Sequence, residues 1–360
     1  MINSEDRPAI CKLILEDGTE FCGKSFGAEM PTAGEVVFNT GMVGYPESFT
    51  DPSYAGQILV LTYPLIGNYG IPLIKKEGGV RKYFESEKIH IKGLVVSEYS
   101  KKHNHWQAEN SLGNWLKKNN IAAIEGIDTR ALTKKLRTKG VMLGKIIAGN
   151  GDVEFYNPNN ELLAKTVSTK KIVTYKAGKK SVALIDMGVK NNIIRSFLKR
   201  GVTVVRIPWD YDFCKIKSSG IFISNGPGDP KTCKITIDNI KKYLSKNKPT
   251  FGICFGNQLL ALAAGGDTYK LKFGHRSQNQ PCVESGTRRC YITSQNHGYA
   301  VNAKKLPAGW KEWFYNANDN TNEGIKHKTK PFMSVQFHPE AMPGPTDTDF
   351  LFDEFIKMLK

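Results

Sequence analysis

Apolar residues along this 360-residue chain follow two different rhythms. Up to about residue 150 they come in short alternating runs, the period of half-buried strands. Lys12-Leu-Ile-Leu-Glu-Asp17-Gly18-Thr-Glu-Phe-Cys22 predicts two strands around an Asp-Gly hairpin turn. Gly34–Asn39, Gln57–Tyr63 and Ile91–Val96 predict further strands, and Ser111–Lys118 a short helix. A second helix is expected over Asp128–Arg137, with Asp128 or Thr129 as its N-cap and Gly140 beyond its end. The first part, 1–150, is therefore expected to be a mostly β domain.

From 151 to 180 the turn-forming runs Asn157-Pro-Asn-Asn160 and Lys176-Ala-Gly-Lys-Lys180 suggest a linker. From 181 to 360 strands alternate with helices: Val182–Asp186, a helix over Lys190–Arg200 closed by Gly201, then Val202–Ile207. Ile221–Asn225 runs into a glycine-rich loop, and a helix follows over Lys234–Lys246. This order predicts an α/β domain: a doubly wound, mostly parallel sheet covered on both faces, with ligands beyond the carboxyl ends of its strands.

Thr250-Phe-Gly-Ile-Cys254-Phe255-Gly-Asn-Gln258-Leu-Leu-Ala-Leu-Ala-Ala264 reads as a buried strand, a sharp turn and an amphipathic helix, with Cys254 on the turn. Gly252 and Gly256 permit an elbow that a Cβ would obstruct, and a thiol at a helix N-terminus sits where the dipole favours the thiolate. Near the other end an apolar strand, Phe332–Phe337, leads into His338-Pro-Glu340. A nucleophile, a base and a carboxylate that orients the base make up a triad. A single Cys in an apolar run is otherwise a small core residue, and it is the glycine bracket and the His-Pro-Glu that single out Cys254. His297 is the rival base, but it lacks a carboxylate close by in the sequence, as Glu340 is to His338.

Composition narrows the field. Hydrophobic residues make up 40% and charged residues 24%, as in ordinary globular proteins. No apolar run is long enough for a membrane helix, and the start lacks signal-peptide order. Seven cysteines without a Cys-x-x-Cys pair form neither a disulfide framework nor a zinc pattern, so a cytoplasmic setting is expected. The net charge of +17 comes from scattered lysine pairs, not a basic stripe, which argues against nucleic acid as partner and for solubility or an acidic partner.

Other motifs carry meaning only in their structural context. Gly18-Thr-Glu-Phe-Cys-Gly-Lys-Ser25 has the letters of a phosphate-binding loop, but follows a hairpin turn and precedes no helix. His103 and His105 lack a third metal ligand at suitable spacing, so no metal is expected. Ser224-Asn-Gly226-Pro-Gly228-Asp-Pro230 offers a rigid loop whose N–H groups can face a ligand or oxyanion. Thr293-Ser-Gln-Asn296-His297-Gly298-Tyr299 offers polar groups that could grip an amino acid.

At Gly252-Ile-Cys254-Phe255-Gly-Asn-Gln258 and His338-Pro-Glu340 the chain resembles the class I, triad-type glutamine amidotransferases. Gly34–Tyr45, Thr50-Asp-Pro-Ser-Tyr54, Leu61–Gly70 and Ile127–Thr133 resemble the first domain of carbamoyl-phosphate synthase small subunits. The resemblance implies that Cys254 forms a γ-glutamyl thioester with L-glutamine, that His338 moves protons and that Glu340 fixes the imidazole. N–H groups near Gly228 and Phe255 would hold the oxyanion. Ser53, Gly226, Gln258, Asn296, Gly298 and Tyr299 would hold glutamine, with Ser53 reaching across from the first domain. It also implies a large-subunit partner that receives ammonia and uses ATP, Mg and bicarbonate, with no cofactor on this chain and the first domain as docking surface. Three departures stand out: Phe255 where Leu or Met is usual, Asn257 where His is common, and Gly274-His-Arg-Ser-Gln-Asn-Gln-Pro281, which departs from the usual bacterial wording. A different amidotransferase would conflict with the matches over residues 34–70. A silent binding subunit would need a broken triad.

Overall fold

A computed structural model describes residues 10–149 and 151–360, which divide into two compact units. The first comprises 10–50, 54–75 and 88–160 of the described residues; the second comprises 51–53, 76–87 and 161–360. Two short early segments thus pack with the second unit.

The first unit is built on a closed barrel of seven strands, in the order Ile10–Leu15, Met142–Ala148, Thr32–Asn39, Gln57–Leu61, Gly93–Val95, Ala122–Glu125 and Glu20–Ser25. Alternation does the work: in Met142–Ala148 every second residue is buried, as expected for a strand with one face on a core. Thr32–Asn39, Gln57–Leu61, Gly93–Val95 and Ala122–Glu125 pair in parallel, while the hairpin Ile10–Leu15/Glu20–Ser25 is antiparallel around Gly18, whose φ is +83°. The phosphate-loop letters therefore lie on a hairpin and a barrel strand. The helix Leu112–Lys118 is capped by Ser111, and Thr129–Lys139 by Asp128, whose carboxylate accepts from Ala131 N at 2.8 Å.

The second unit is organised by a ten-stranded sheet. Its centre is parallel, in the order Thr203–Pro208, Ser181–Asp186, Gly220–Ile223, Thr250–Ile253, Phe332–Val335. Asn322–His327, Trp310–Asn316, Thr268–Glu284 and Cys290–Val301 continue it as an antiparallel wing, so the sheet is mixed and not parallel throughout. The stretch 151–180, which by its turn residues suggests a linker, carries a helix at Leu163–Val167 and an edge strand, Val173–Tyr175, that joins this sheet antiparallel to Thr203–Pro208.

Side-chain alternation gives the central strands two apolar faces. Val182, Leu184, Phe222 and Phe251 pack on one side with Ile193, Ile194 and Phe197 of helix Asn191–Lys199 and Leu351, Phe352 and Phe355 of helix Phe350–Met358. Ala183, Ile185, Ile221 and Ile223 pack on the other with Ile240 of helix Lys234–Leu244 and Leu259 and Leu260 of helix Phe255–Ala264. Phe222 stacks on Phe251 with ring centroids 5.2 Å apart and meets Phe197 edge-on at 4.9 Å. Truncating Phe222→Ala is expected to cost about 3–5 kcal/mol, the usual range for a buried aromatic. Urea unfolding followed by circular dichroism should show a clearly lower midpoint; an unchanged midpoint would contradict this account of the core.

Candidate active site

Strand Thr250–Ile253 ends at Cys254, whose φ of +55° and ψ of −105° put it outside the conformations a non-glycine residue prefers. The neighbours that make this turn fit are glycines. A Cβ on Gly252 would lie 2.4 Å from the Gly256 carbonyl oxygen, and a Cβ on Gly256 would lie 2.2 Å from that of Ile223. Helix Phe255–Ala264 can therefore start directly against the strand backbones. Cys254 N donates to Val335 O at 2.8 Å, tying the elbow to the neighbouring strand. Its thiol is buried and donates to Asn296 O at 3.5 Å. Phe255 opens the helix, so its N–H lies outside the helical ladder.

His338 follows strand Phe332–Val335, its N–H donating to Ser294 O at 2.9 Å. Its Nδ1 lies 2.7 Å from Glu340 Oε1, while its buried Nε2 has no hydrogen-bond partner among the described residues. Burial disfavours the imidazolium, but the Glu340 carboxylate overcomes it and carries the His338 pKa above its ordinary value, with Cys254 adding to the rise. Glu340 itself is pulled the other way. Burial favours its neutral form, yet Lys190 and then His338 hold its carboxyl below the usual range. The rival His297 has both nitrogens engaged, with Nδ1 2.9 Å from Tyr299 O and Nε2 3.0 Å from Gln295 Oε1.

Lys190 and Glu85 carry no signal in the sequence. Lys190 Nζ lies 3.2 Å from Glu340 Oε1 and donates to Ala341 O at 2.6 Å. Arg195 pairs with Glu85 at 2.7 Å, and Asn192 N donates to the other Glu85 oxygen at 3.0 Å. Burial pushes the Glu85 pKa up, against the pull of Lys190 and Arg195. Groups that carry opposite charges when ionised thus alternate along Glu85, Lys190, Glu340 and His338. Only long-range folding assembles this line, since Glu85 lies far from the rest in sequence.

The remaining expected residues fall into two connected groups. Gln258 Nε2 donates to Tyr299 O at 2.8 Å and to Gln336 Oε1 at 3.2 Å, leaving Gln258 Oε1 buried without a partner among the described residues. Asn257 shares that acceptor at 3.2 Å and accepts from Ser334 Oγ at 2.8 Å, so its amide is built into the strand–helix contact. Ser53 Oγ accepts from Asn225 Nδ2 at 2.9 Å, and Asn296 Nδ2 donates to Asp51 Oδ2 at 2.9 Å. Asn225 Nδ2 also reaches Asp51 Oδ1 at 3.3 Å, which joins Ser53 and Asn296 in one network. Asp51, within Thr50–Tyr54, and Asn225, within Ser224–Pro230, are thus partners whose roles their own sequence neighbourhoods do not signal. Gly226 follows Asn225; a Cβ there would meet Met187 O at 2.3 Å. Gly228 adopts φ +89° in the same loop, and Gly298 lies between His297 and Tyr299 on strand Cys290–Val301.

Comparison with known proteins agrees with both halves. The family model "Carbamoyl-phosphate synthase small chain, CPSase domain" matches residues 13–146, and "Glutamine amidotransferase class-I" matches residues 183–358. The chain is 52% identical over 369 residues to "Multifunctional protein pyr1-3" of Dictyostelium discoideum, covering 96% of this chain and 17% of that protein. It is 53% identical over 352 residues to "Multifunctional protein CAD" of Squalus acanthias, covering 96% and 16%. It is 50% identical over 353 residues to "Carbamoyl-phosphate synthase [ammonia], mitochondrial" of Homo sapiens, covering 97% and 24%. The chain thus spans a quarter or less of the length of these relatives. With a class I glutamine amidotransferase domain following its amino-terminal domain, the chain belongs to the carbamoyl-phosphate synthase small-chain family.

Proposed function

We propose that this chain is the glutamine-hydrolysing component of a carbamoyl-phosphate synthase. The observation that carries the proposal is the left-handed elbow that presents Cys254 beside a His338–Glu340 pair. In the proposed reaction the Cys254 sulfur attacks the side-chain amide carbon of glutamine. Negative charge builds on the amide oxygen, met by the N–H of Phe255 and by one near Gly228. His338, holding the thiol proton, delivers it to the leaving nitrogen, and ammonia departs from a γ-glutamyl thioester. His338 then takes a proton from water, the resulting hydroxide displaces the sulfur, and glutamate is released. Glu340 keeps Nδ1 of His338 protonated so that Nε2 faces the chemistry.

Gln258 supports a substrate role through its unpaired buried Oε1, an acceptor suited to a substrate ammonium. Ser53, Asn296, Gly226, Gly228, Gly298 and Tyr299 are proposed to hold the amino-acid end of glutamine. The ammonia is proposed to pass to a carbamoyl-phosphate synthase large component that uses ATP, Mg and bicarbonate. Exposed Met42, Val43, Leu73, Ile74 and Trp106 of the first unit suit such a docking role. The seven free cysteines fit a reducing, cytoplasmic setting. Among the described residues no helix is long and apolar enough to cross a membrane. Relatives from Homo sapiens and Mus musculus are named for ammonia, which favours a second reading as a silent subunit. Against it, Cys254, His338 and Glu340 are all present here.

The test is glutamate release from L-glutamine. Cys254→Ala is expected to abolish it while leaving the circular dichroism spectrum unchanged; turnover surviving in that variant would refute the nucleophile. Glu340→Gln removes the anion that raises the His338 pKa, so the histidine is expected to titrate at lower pH. With that variant kcat should fall on the order of a hundredfold or more, as when an orienting carboxylate is lost. An NMR titration of His338 that does not move down would contradict the electrostatic account.

A further inference from the structure

Behind the strand that carries Gln295, Asn296 and Tyr299 lies a buried polar cluster that the triad does not use. His275, on strand Thr268–Glu284, stands opposite His297 in the antiparallel ladder, with ring centroids 5.0 Å apart. Its Nε2 lies 2.9 Å from Asp319 Oδ2, and its Nδ1 lies 2.9 Å from Gln295 Oε1 and 3.3 Å from Glu323 Oε1. Asp319 and Glu323 are carboxylates that can only accept, so donation from both ring nitrogens suits an imidazolium. Burial opposes that charge, but Asp319 and Glu323 carry the His275 pKa up to about 9. Gln295 is held from its other end as well, its Nε2 donating to Thr293 Oγ1 and Cys282 Sγ at 3.2 Å. Glu323 is fully buried, accepts from Asn316 Nδ2 at 3.4 Å and keeps one oxygen without a partner among the described residues. Such a charge is tolerated only while its counter-ion stays in place.

The cluster bears on the site through one strand. Gln295 immediately precedes Asn296, whose carbonyl faces the Cys254 thiol and whose amide meets Asp51. Gln295 Oε1 also contacts His297 Nε2, and His297 Nδ1 contacts Tyr299 O, the oxygen that takes Gln258. One imidazolium therefore ties the 319–323 segment to the stretch that positions three of the proposed glutamine-holding groups.

We propose that His275, with Glu323 as its buried counter-ion, is a positioning residue for the glutamine pocket, clamping the Gln295–Tyr299 stretch in place. The inference rests on the glutaminase reading. Loss of the clamp loosens substrate binding and leaves the Cys254–His338–Glu340 chemistry largely intact.

The experiment compares wild type with His275→Ala as full chains. It measures KM and kcat for glutamine, alkylation of the Cys254 peptide by iodoacetamide followed by mass spectrometry, and metal content. KM is expected to rise about tenfold or more with kcat within about threefold, the signature of lost ground-state binding. Alkylation of Cys254 without glutamine should be unchanged. An unchanged KM, or a fall in kcat alone, would overturn the proposal. So would a stoichiometric transition metal in the wild-type protein, because ligand atoms of His275, His297 and Glu323 lie within 4.8 Å of one another, a spacing a metal could use. Should His275→Ala fail to fold, Glu323→Gln keeps the shape and removes the charge. It is expected to raise KM about threefold, and an unchanged KM counts against the clamp. If the wild-type chain releases no glutamate, the glutaminase reading fails, and protection of Cys254 from alkylation by glutamine becomes the readout. Protection lost in His275→Ala then supports the clamp, and protection retained overturns it.

Discussion

Close approach of backbone to backbone at the elbow is the constraint on which the rest of the second unit depends. Helix Phe255–Ala264 begins where strand Thr250–Ile253 ends, with no room for side chains at Gly252 or Gly256. That approach forces Cys254 into a left-handed conformation and turns its thiol toward the Asn296 carbonyl. Strain of this kind costs on the order of 1–3 kcal/mol and persists only where the surroundings over-determine it. Here the surroundings are two apolar cores, one on each face of the parallel strands, and a hydrogen bond from Cys254 N to the next strand.

The site is consequently supported from two directions. On the parallel side, the loop after Gly220–Ile223 supplies Asn225, which gathers Ser53 and Asp51. On the antiparallel wing, strand Cys290–Val301 brings Asn296 to Asp51 and Tyr299 to Gln258. Neither support is local in sequence. A rigid parallel centre and a polar wing meet around one thiol, which explains why so much hydrogen bonding is spent on holding a single strand in register.

Local chemistry made part of this fold legible. Asp128 and Ser111 announce helix starts because a cap needs only the next three residues, and Asp17-Gly18 announces a hairpin for the same reason. The elbow was legible because its glycines and cysteine are contiguous. The barrel was not: its parallel pairing of Thr32–Asn39, Gln57–Leu61 and Gly93–Val95 is set by long-range closure, which alternation alone does not encode. The edge strand Val173–Tyr175 is too short to stand out between turn-forming residues. Lys190, Glu85, Asp51 and Asn225 were invisible as partners because a single polar residue in a sequence carries no sign of what it will meet. Likewise His275 and Glu323 lie 48 positions apart, and only the antiparallel wing makes them neighbours.

The alternating line from Glu85 through Lys190 and Glu340 to His338 separates the protein's electrostatics into two compartments. Side-chain exposure along that line is 9% at most, counting Arg195 beside Glu85. Mobile ions screen exposed charges over about 8 Å at physiological ionic strength and screen buried pairs much less. The surplus of +17 carried on the lysine-rich exterior is open to that screening. Ionic strength therefore tunes how this molecule meets other macromolecules far more than it retunes the protonation of its buried histidine, and encounter and chemistry answer to different features of the surrounding solution.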